Sequence, residues 1–558
     1  MIDIMLMDGQ PSINITYILL MKTLKYLLFI VLFISYNQVF SQIWPKVYLA
    51  NQGTTPLSVF KNYDNGYLFG GWFLTPDGFP INGLLLKTTI NGDMLWYKRL
   101  GENNDGTGIC DINQTNDNGL IISGSTQQTD SWGDPFIMKL NACMEKEWCR
   151  IFAVGQNRAD YTQSIKQIPG GYIAMVFYGN EFFSNEKLYL YRLDNNGDLL
   201  WQQQYGNTDS MMAGAEGYDM TVTPDLKYLI GGFCYYPDSG TSGPRYLRPL
   251  IIQVDSIGST TWELPWRYIS GAHFYGMAYR SIIDNKNTIY TCGRHIEEEA
   301  TPSGDRPTML KTDDNGNELA YYDLVNDSKQ AVFFTINWFA DSTIALGGGW
   351  SYSMTDHHQA VFKVDRNGSV IDSVELLQSL YSFSDAVTDT DNKLFLVSGQ
   401  HDGNQWRTYA WKLNSDLEYD TLYTHPFVYD SLCPHPIPSD TIPLDCVVVG
   451  LNEPFENPET GRLKVYPNPA SDVLHVEIPD KLKSETHSPV FNLTTVYHQW
   501  KSAVMEVYNL FGKQVFSKEI RQTEKLLDLN IAEWPRGMYV VRLVYNGKTV
   551  ASEKVVVG

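Results

Sequence analysis

Few of the side chains able to do chemistry in this 558-residue chain stand at spacings that chemistry demands. Asp356-His357-His358 offers three metal-ligating side chains in a row. Neighbouring side chains on a strand point to opposite faces, so these two imidazoles do not converge on one ion. Arg294-His295 followed by Glu297, Glu298 and Glu299 has the composition of an acid–base cluster, but an exposed charged loop is the better account of it. His401-Asp402 reads the same way. Asp105-Gly106 and Asp117-Asn118-Gly119 are turns without the spacing of a calcium loop. No GxSxG, HExxH, P-loop or GxGxxG fingerprint is convincingly present. No catalytic, cofactor-binding or metal-ligating residue is therefore assigned, and no cofactor is expected.

The seven cysteines are Cys110, Cys143, Cys149, Cys234, Cys292, Cys433 and Cys446. Cys143 and Cys149 flank the turn 144–147 and could bridge across a hairpin. Cys433 and Cys446 bracket a Pro-rich loop and could close it. Neither pair has zinc-site CxxC spacing, and the other three lie in apolar strand contexts that suit buried thiols.

These residues must be positioned by strands. Tyr, Trp, Gly and Asn are plentiful, long helical runs are missing, and the hydrophobic content of 43% excludes wholesale disorder. One phrase recurs: an apolar strand, a variable loop, a second apolar strand, a tight turn, then a strand often carrying Trp. The first strand appears at 67–71, 120–124, 172–176, 228–232, 288–293, 343–347 and 393–399. The turns follow in step at Asn91-Gly92, Asn141, Asp194 with Gly197, Asp255 with Gly258, Asp313 with Gly316, Asp365 with Gly368, and Asn414 with Asp416. A period of about 52 to 61 residues fits one four-stranded blade per repeat. The expectation is an all-β chain: a seven-bladed β-propeller over 43–425, a Pro-rich linker over 426–462, and a small β-sandwich over 463–558. The turn glycines supply φ > 0, and the Trp, where one follows the turn, should pack between blades.

The propeller phrase resembles quinoprotein-like and delta-60-like repeats of bacterial secreted and outer-membrane proteins. Two enzyme patterns fit poorly. Sialidase Asp boxes have one residue between Asp and Gly, where this chain has two, and no adjacent cysteine pair of the alcohol-dehydrogenase quinoprotein kind is present. The loops between second and third strands hold aromatics. Trp72, Trp132, Tyr236, Trp350 and Trp406 are the candidate binding face, against the alternative that these rings pack on their own loops.

The last hundred residues carry three motifs in order: Val465-Tyr466-Pro467-Asn468-Pro469, Val507-Tyr508-Asn509-Leu510-Phe511-Gly512-Lys513, and Gly537-Met538-Tyr539-Val540-Val541-Arg542. Alternation at Val504, Glu506 and Tyr508 against Met505, Val507 and Asn509 gives half-buried strands, about seven in all. These motifs resemble the type A C-terminal sorting domain of the type IX (Por) secretion system, with Tyr466, Pro467, Asn468, Pro469, Tyr508, Gly512, Gly537 and Tyr539 as motif residues. A polar insertion at 481–501 departs from the pattern. The resemblance implies a Gram-negative, Bacteroidetes-type bacterium, handling by the type IX machinery, and release or attachment at the cell surface.

The other end agrees. Met21-Lys22-Thr23-Leu24-Lys25 is basic, 26–34 is apolar, and small residues precede a cut before Gln42. Residues 21–41 have signal-peptide anatomy, too short in the apolar run for a membrane span in the mature chain. Residues 1–20 lack matching logic and read as a start set too early; the alternative is a cytoplasmic extension on an anchor. The net charge of −21 lies in the body, the tail being near neutral, and argues against nucleic-acid or anionic-lipid partners. The expected function is non-catalytic binding of an extracellular protein or glycan; the alternative is a polysaccharide hydrolase or lyase built on the propeller.

Overall fold

The structure is a computed structural model. It describes residues 44–450 and 463–558, apart from 103–104, 130–132, 154–159, 180–185, 207–213, 238–244, 266–274, 298–303, 325–329, 354–355, 380–381, 390, 426, 479–481, 484–496, 499–501, 510–512, 522–523 and 546–547. The signal peptide over 21–41, residues 1–20, Trp132 and Gly512 lie outside the described residues. The chain divides into two compact units, Met1–Leu451 and Asn452–Gly558. Among the described residues there is no helix, and so none long and apolar enough to cross a membrane.

The first unit is a β-propeller. Its sheets are built on four antiparallel strands, consecutive in sequence in all but one. The inner strands are Gly53–Lys61, Gly108–Gln114, Asp160–Ile168, Ala215–Val222, Tyr275–Ile283, Gln330–Trp338 and Ser382–Thr388. In that order their sheets are called blades 1 to 7. Blade 7 takes its outermost strand, Lys46–Tyr48, from the other end of the unit, with Val47 opposite Tyr409. Blades 7 and 1 also meet directly. Tyr67 stacks on Phe395 with centroids 3.7 Å apart, and its hydroxyl donates to Asp389 at 2.6 Å. The second strand of each blade begins with an apolar run buried on both faces, because each face packs against a neighbouring blade.

The recurring turn and Trp form one joint between blades. The indole N–H of Trp262, in blade 4, donates to Asp314 O in the outer turn of blade 5 at 2.9 Å. That of Trp148 reaches Asn195 O of blade 3 at 3.2 Å. The turn glycine lies under the ring. Gly316 has φ of 77°, and a Cβ there would sit 2.7 Å from Trp262. Gly316→Ala should therefore destabilise the propeller by about 2–3 kcal/mol, read from urea unfolding, through strain plus overpacking. Gly403→Ala, with φ of 92° and no atom within 4 Å, is the control that carries strain alone. Equal losses in the two variants would show that the ring contact contributes nothing.

The expected linker is, up to residue 450, part of the propeller. Asp440–Ile442 adds a parallel fifth strand to blade 1, and Lys98 Nζ donates to Asp440 at 2.6 Å. Val447–Gly450 does the same on blade 2, with Val447 opposite Arg150. Lys87 is 0% exposed and forms ion pairs with Asp64 of its own blade and Asp430 of this strap. Ile437, Ile442 and Leu444 join the core of blades 1 and 2.

The strap also corrects the expected disulfides. Cys143 bonds Cys433 and Cys149 bonds Cys446, with Cα atoms 5.4 and 4.6 Å apart. Neither the Cys143–Cys149 nor the Cys433–Cys446 bridge forms. The register explains this, since pairing Val447 with Arg150 brings the preceding residues, Cys446 and Cys149, side by side. Cys234 and Cys292 are buried and Cys110 partly buried, and none of the three is in a disulfide.

The second unit is a β-sandwich. One sheet is Lys464–Tyr466, Val473–Glu477 and Leu526–Asn530; the other is Gln514–Arg521, Ser502–Asn509, Gly537–Tyr545 and Lys548–Val557. Leu474, Val476, Met505, Val507, Val541 and Leu543 from both sheets form its core. Asn468 ties its turn to the edge strand, accepting from Val556 N at 2.9 Å and donating to Lys554 O at 3.1 Å. Tyr539 donates to Pro535 O at 2.7 Å. Arg542 lies over the Tyr508 ring at 4.6 Å and donates to Glu506 at 2.9 Å. Tyr466 is 42% exposed and donates to Glu477 at 3.2 Å.

Candidate functional site at the propeller axis

The inner strands of blades 1 to 6 each carry a bulge. A bulge leaves a residue unpaired and turns side chains out of the sheet's plane. Just past it stand Ser58, Asp111, Ser164, Asp219, Ser281 and Thr335, and Asp385 holds a comparable place in blade 7. In blade 5 the bulge spans two residues, which frees Arg280 as well.

These side chains join into a belt around the axis. Ser58 donates to Asp111 at 2.9 Å, and so does Ser164 from the other side. Ser164 Oγ also lies 3.5 Å from Asp219. Arg280 Nε donates to Asp219 at 2.7 Å, and its Nη1 donates to Asp385. Asp385 accepts from Val59 N of blade 1 at 2.8 Å, which closes the circuit. Lys166 donates to Asp111 at 2.7 Å.

Each carboxylate of the belt faces a cation. Burial alone would raise the Asp111 carboxyl, but Lys166 and the hydrogen bonds from Ile165 N and Ser164 hold it below its ordinary value. Burial likewise works against charge on Arg280, yet Asp385 and Asp219 hold its guanidinium above its ordinary value. Burial pushes the Asp385 carboxyl up; with a guanidinium and two backbone N–H groups on it, we take the pair as ionised.

On the side of the turns joining first and second strands, the belt floors a cavity of about 470 Å³. Residues from all seven inner strands contribute to it, and its walls include Asn113, Gln114, Gln167, Thr221 and Asn337. On the other side of the belt runs an aromatic arc. Tyr218 meets Tyr279 at 4.8 Å, and Tyr279 meets Phe334 at 5.0 Å. Beside it Tyr161 donates to Glu216 at 2.6 Å. Burial pushes Glu216 up to about 7, more than the Tyr161 hydrogen bond lowers it, and nearby Glu186 adds to the rise.

The polar groups weighed and set aside in the sequence are engaged elsewhere. His295 Nδ1 lies 3.0 Å from Asp323 and from the Tyr321 hydroxyl. His358 lies 3.8 Å from Glu375. Asp402 caps an exposed turn, and the backbone N–H of Gln405, with Arg407, lowers it to about 2. No cluster of three metal-ligating side chains occurs among the described residues. Of the aromatic face, Trp72 is half-buried with its indole against Gly108 of blade 2. Trp406 is half-buried, edge-on to His401 at 5.6 Å and beside Gly78 of blade 1. Tyr236 and Trp350 lie on the strands Tyr228–Pro237 and Ile344–Ser353, their side chains outside the description.

The belt was missed by the sequence reading, although it leaves a signal. A small polar residue followed by an apolar one recurs with the blade period: Ser58-Val59, Asp111-Ile112, Ser164-Ile165, Asp219-Met220, Ser281-Ile282, Thr335-Ile336 and Asp385-Ala386.

Residues 464–558 match the family described as "Secretion system C-terminal sorting domain". No curated protein sequence matches the chain. Among solved structures it is similar to an ulvan lyase described as a new polysaccharide lyase family, PL25, at 8% identity over 65% of this chain and 94% of that one, with a TM-score of 0.44. It is similar to the α-L-arabinofuranosidase Arb93A of Fusarium graminearum at 8% identity, over 67% and 96%, with a TM-score of 0.37. A Bacteroides caccae protein of unknown function is similar at 13% identity, over 48% and 81%, with a TM-score of 0.30. Likenesses this distant carry no statement about activity. The tail is thus a type IX secretion sorting domain, and the chain is exported to the cell surface or beyond in a Bacteroidetes-type bacterium.

Proposed function

We propose that the exported propeller binds an extracellular ligand, protein or glycan, at its axial cavity and does not transform it. The supporting observation is that each carboxylate of the cavity floor is already held. Asp111 faces Lys166, while Asp219 and Asp385 face Arg280. These carboxylates spend their acceptor oxygens on cations and hydrogen-bond donors of the protein itself and not on a substrate.

A second reading rests on Glu216. Its carboxyl at about 7, with Tyr161 at 2.6 Å, has the properties of a proton-transfer group, which fits a polysaccharide hydrolase or lyase. The two readings separate when the secreted protein is incubated with immobilised and soluble neutral and uronate-containing polysaccharides. Retention with no new reducing ends and no ultraviolet absorbance from unsaturated uronate is the expected result. Product formation that Glu216→Gln abolishes would replace the binding reading with the enzymatic one.

A further inference from the structure

Resting on the binding reading, we infer that the axial cavity takes the uncharged, hydroxyl-rich end of a glycan chain. Size is the first argument. A cavity of about 470 Å³ lies within the range of small-molecule sites and is too small for a folded protein element.

Hydrogen-bonding capacity is the second. Asn113 commits its amide nitrogen to Asp111 and to Ile165 O. Gln114 commits its nitrogen to Asn118, and Asn337 commits its own to Thr335. Each keeps its carbonyl oxygen unpartnered among the described residues, fixed in orientation by the bond its nitrogen makes. Thr221 donates to Ser281 O and keeps acceptor capacity. Gln167 accepts from Asn116 N, which leaves its amide nitrogen as a donor. Gln114 and Asn337 each spend one of two amide N–H groups in this way, so the wall offers acceptors and donors side by side, which suits hydroxyl groups that give and take hydrogen bonds at one atom.

Charge is the third. Three carboxylates and two cations face one another in the floor, leaving no excess positive charge for uronate or sulfate. The net charge of −21 repels acidic chains further.

Depth is the fourth. Among the described residues the lining begins at the belt and continues only toward the turn side. Tyr161, Glu216 and Tyr279, beyond the belt, contribute nothing to it. A polymer therefore enters by an end and does not thread through.

The test is calorimetric titration of the full secreted protein with neutral oligosaccharides, the same oligosaccharides capped at both ends, and uronate oligosaccharides. Saturable binding of the uncapped neutral chains is expected, lost on capping. Asn337→Ala and Gln114→Ala should each weaken it about tenfold, the loss of one hydrogen bond to ligand. Either variant suffices if the other fails to fold. Preference for uronate chains, indifference to capping, or unchanged affinity in both variants would overturn the inference and leave the binding reading standing. Cleavage of the oligosaccharides would overturn the binding reading itself.

Discussion

A chain ending at residue 462 is expected to stay inside the cell envelope, with its surface and medium fractions falling to background on immunoblots. The removed segment is a folded object with its own two-sheet core and not a linear address. Its motif residues divide by what they touch. Asn468 and Tyr539 hold the fold, through the edge strand and through Pro535 O. Tyr466 and the Tyr508–Arg542–Glu506 group have partly exposed side chains available to the secretion machinery. Surface display of the truncated chain at the full-length level would break the link between tail and export.

Replacing Arg280 by Met is expected to cost the propeller about 3–5 kcal/mol, because it strands two carboxylates that share one guanidinium. Urea unfolding at pH 7 measures the loss. The deficit should shrink as pH falls. Asp385 is 2% exposed, and without its cation burial alone raises its carboxyl further. A carboxyl raised in the folded state binds its proton more tightly there than in the unfolded chain, so the mutant gains relative stability as it protonates. Arg280→Lys keeps charge but loses the fork that spans Asp219 and Asp385, and should fall between the two. A deficit under about 0.5 kcal/mol in the Met variant would show that the belt does not support the ring.

Much of the architecture could be read before any coordinates because it repeats. Apolar middle strands, turn glycines and the following Trp recur with one period, and each blade must bury both faces. What the period does not cover was lost. Lys46–Tyr48 is too short to show alternation, so its place as the outer strand of blade 7 was invisible. Cys143 and Cys149 look like natural partners when only chain distance is considered, whereas the strand register of Val447–Gly450 decides the matter. The belt escaped for a related reason. Asp111, Asp219, Arg280 and Asp385 lie far apart in sequence, each on an inner strand of mixed polar and apolar residues where no single position stands out. Loop aromatics attract attention by composition, which does not distinguish a ring facing solvent from one wedged between blades, as Trp72 is.

The two cystines give the propeller the topology of a hoop fastened twice at one place. Cys143 and Cys149 lie early in the unit, Cys433 and Cys446 at its end, and blades 3 to 7 lie between the fastenings. A single cut by an extracellular protease anywhere in those blades would leave both fragments covalently held, with the remaining strands still in register around the axis. Damage outside the cell would be silent until a reductant opened the hoop.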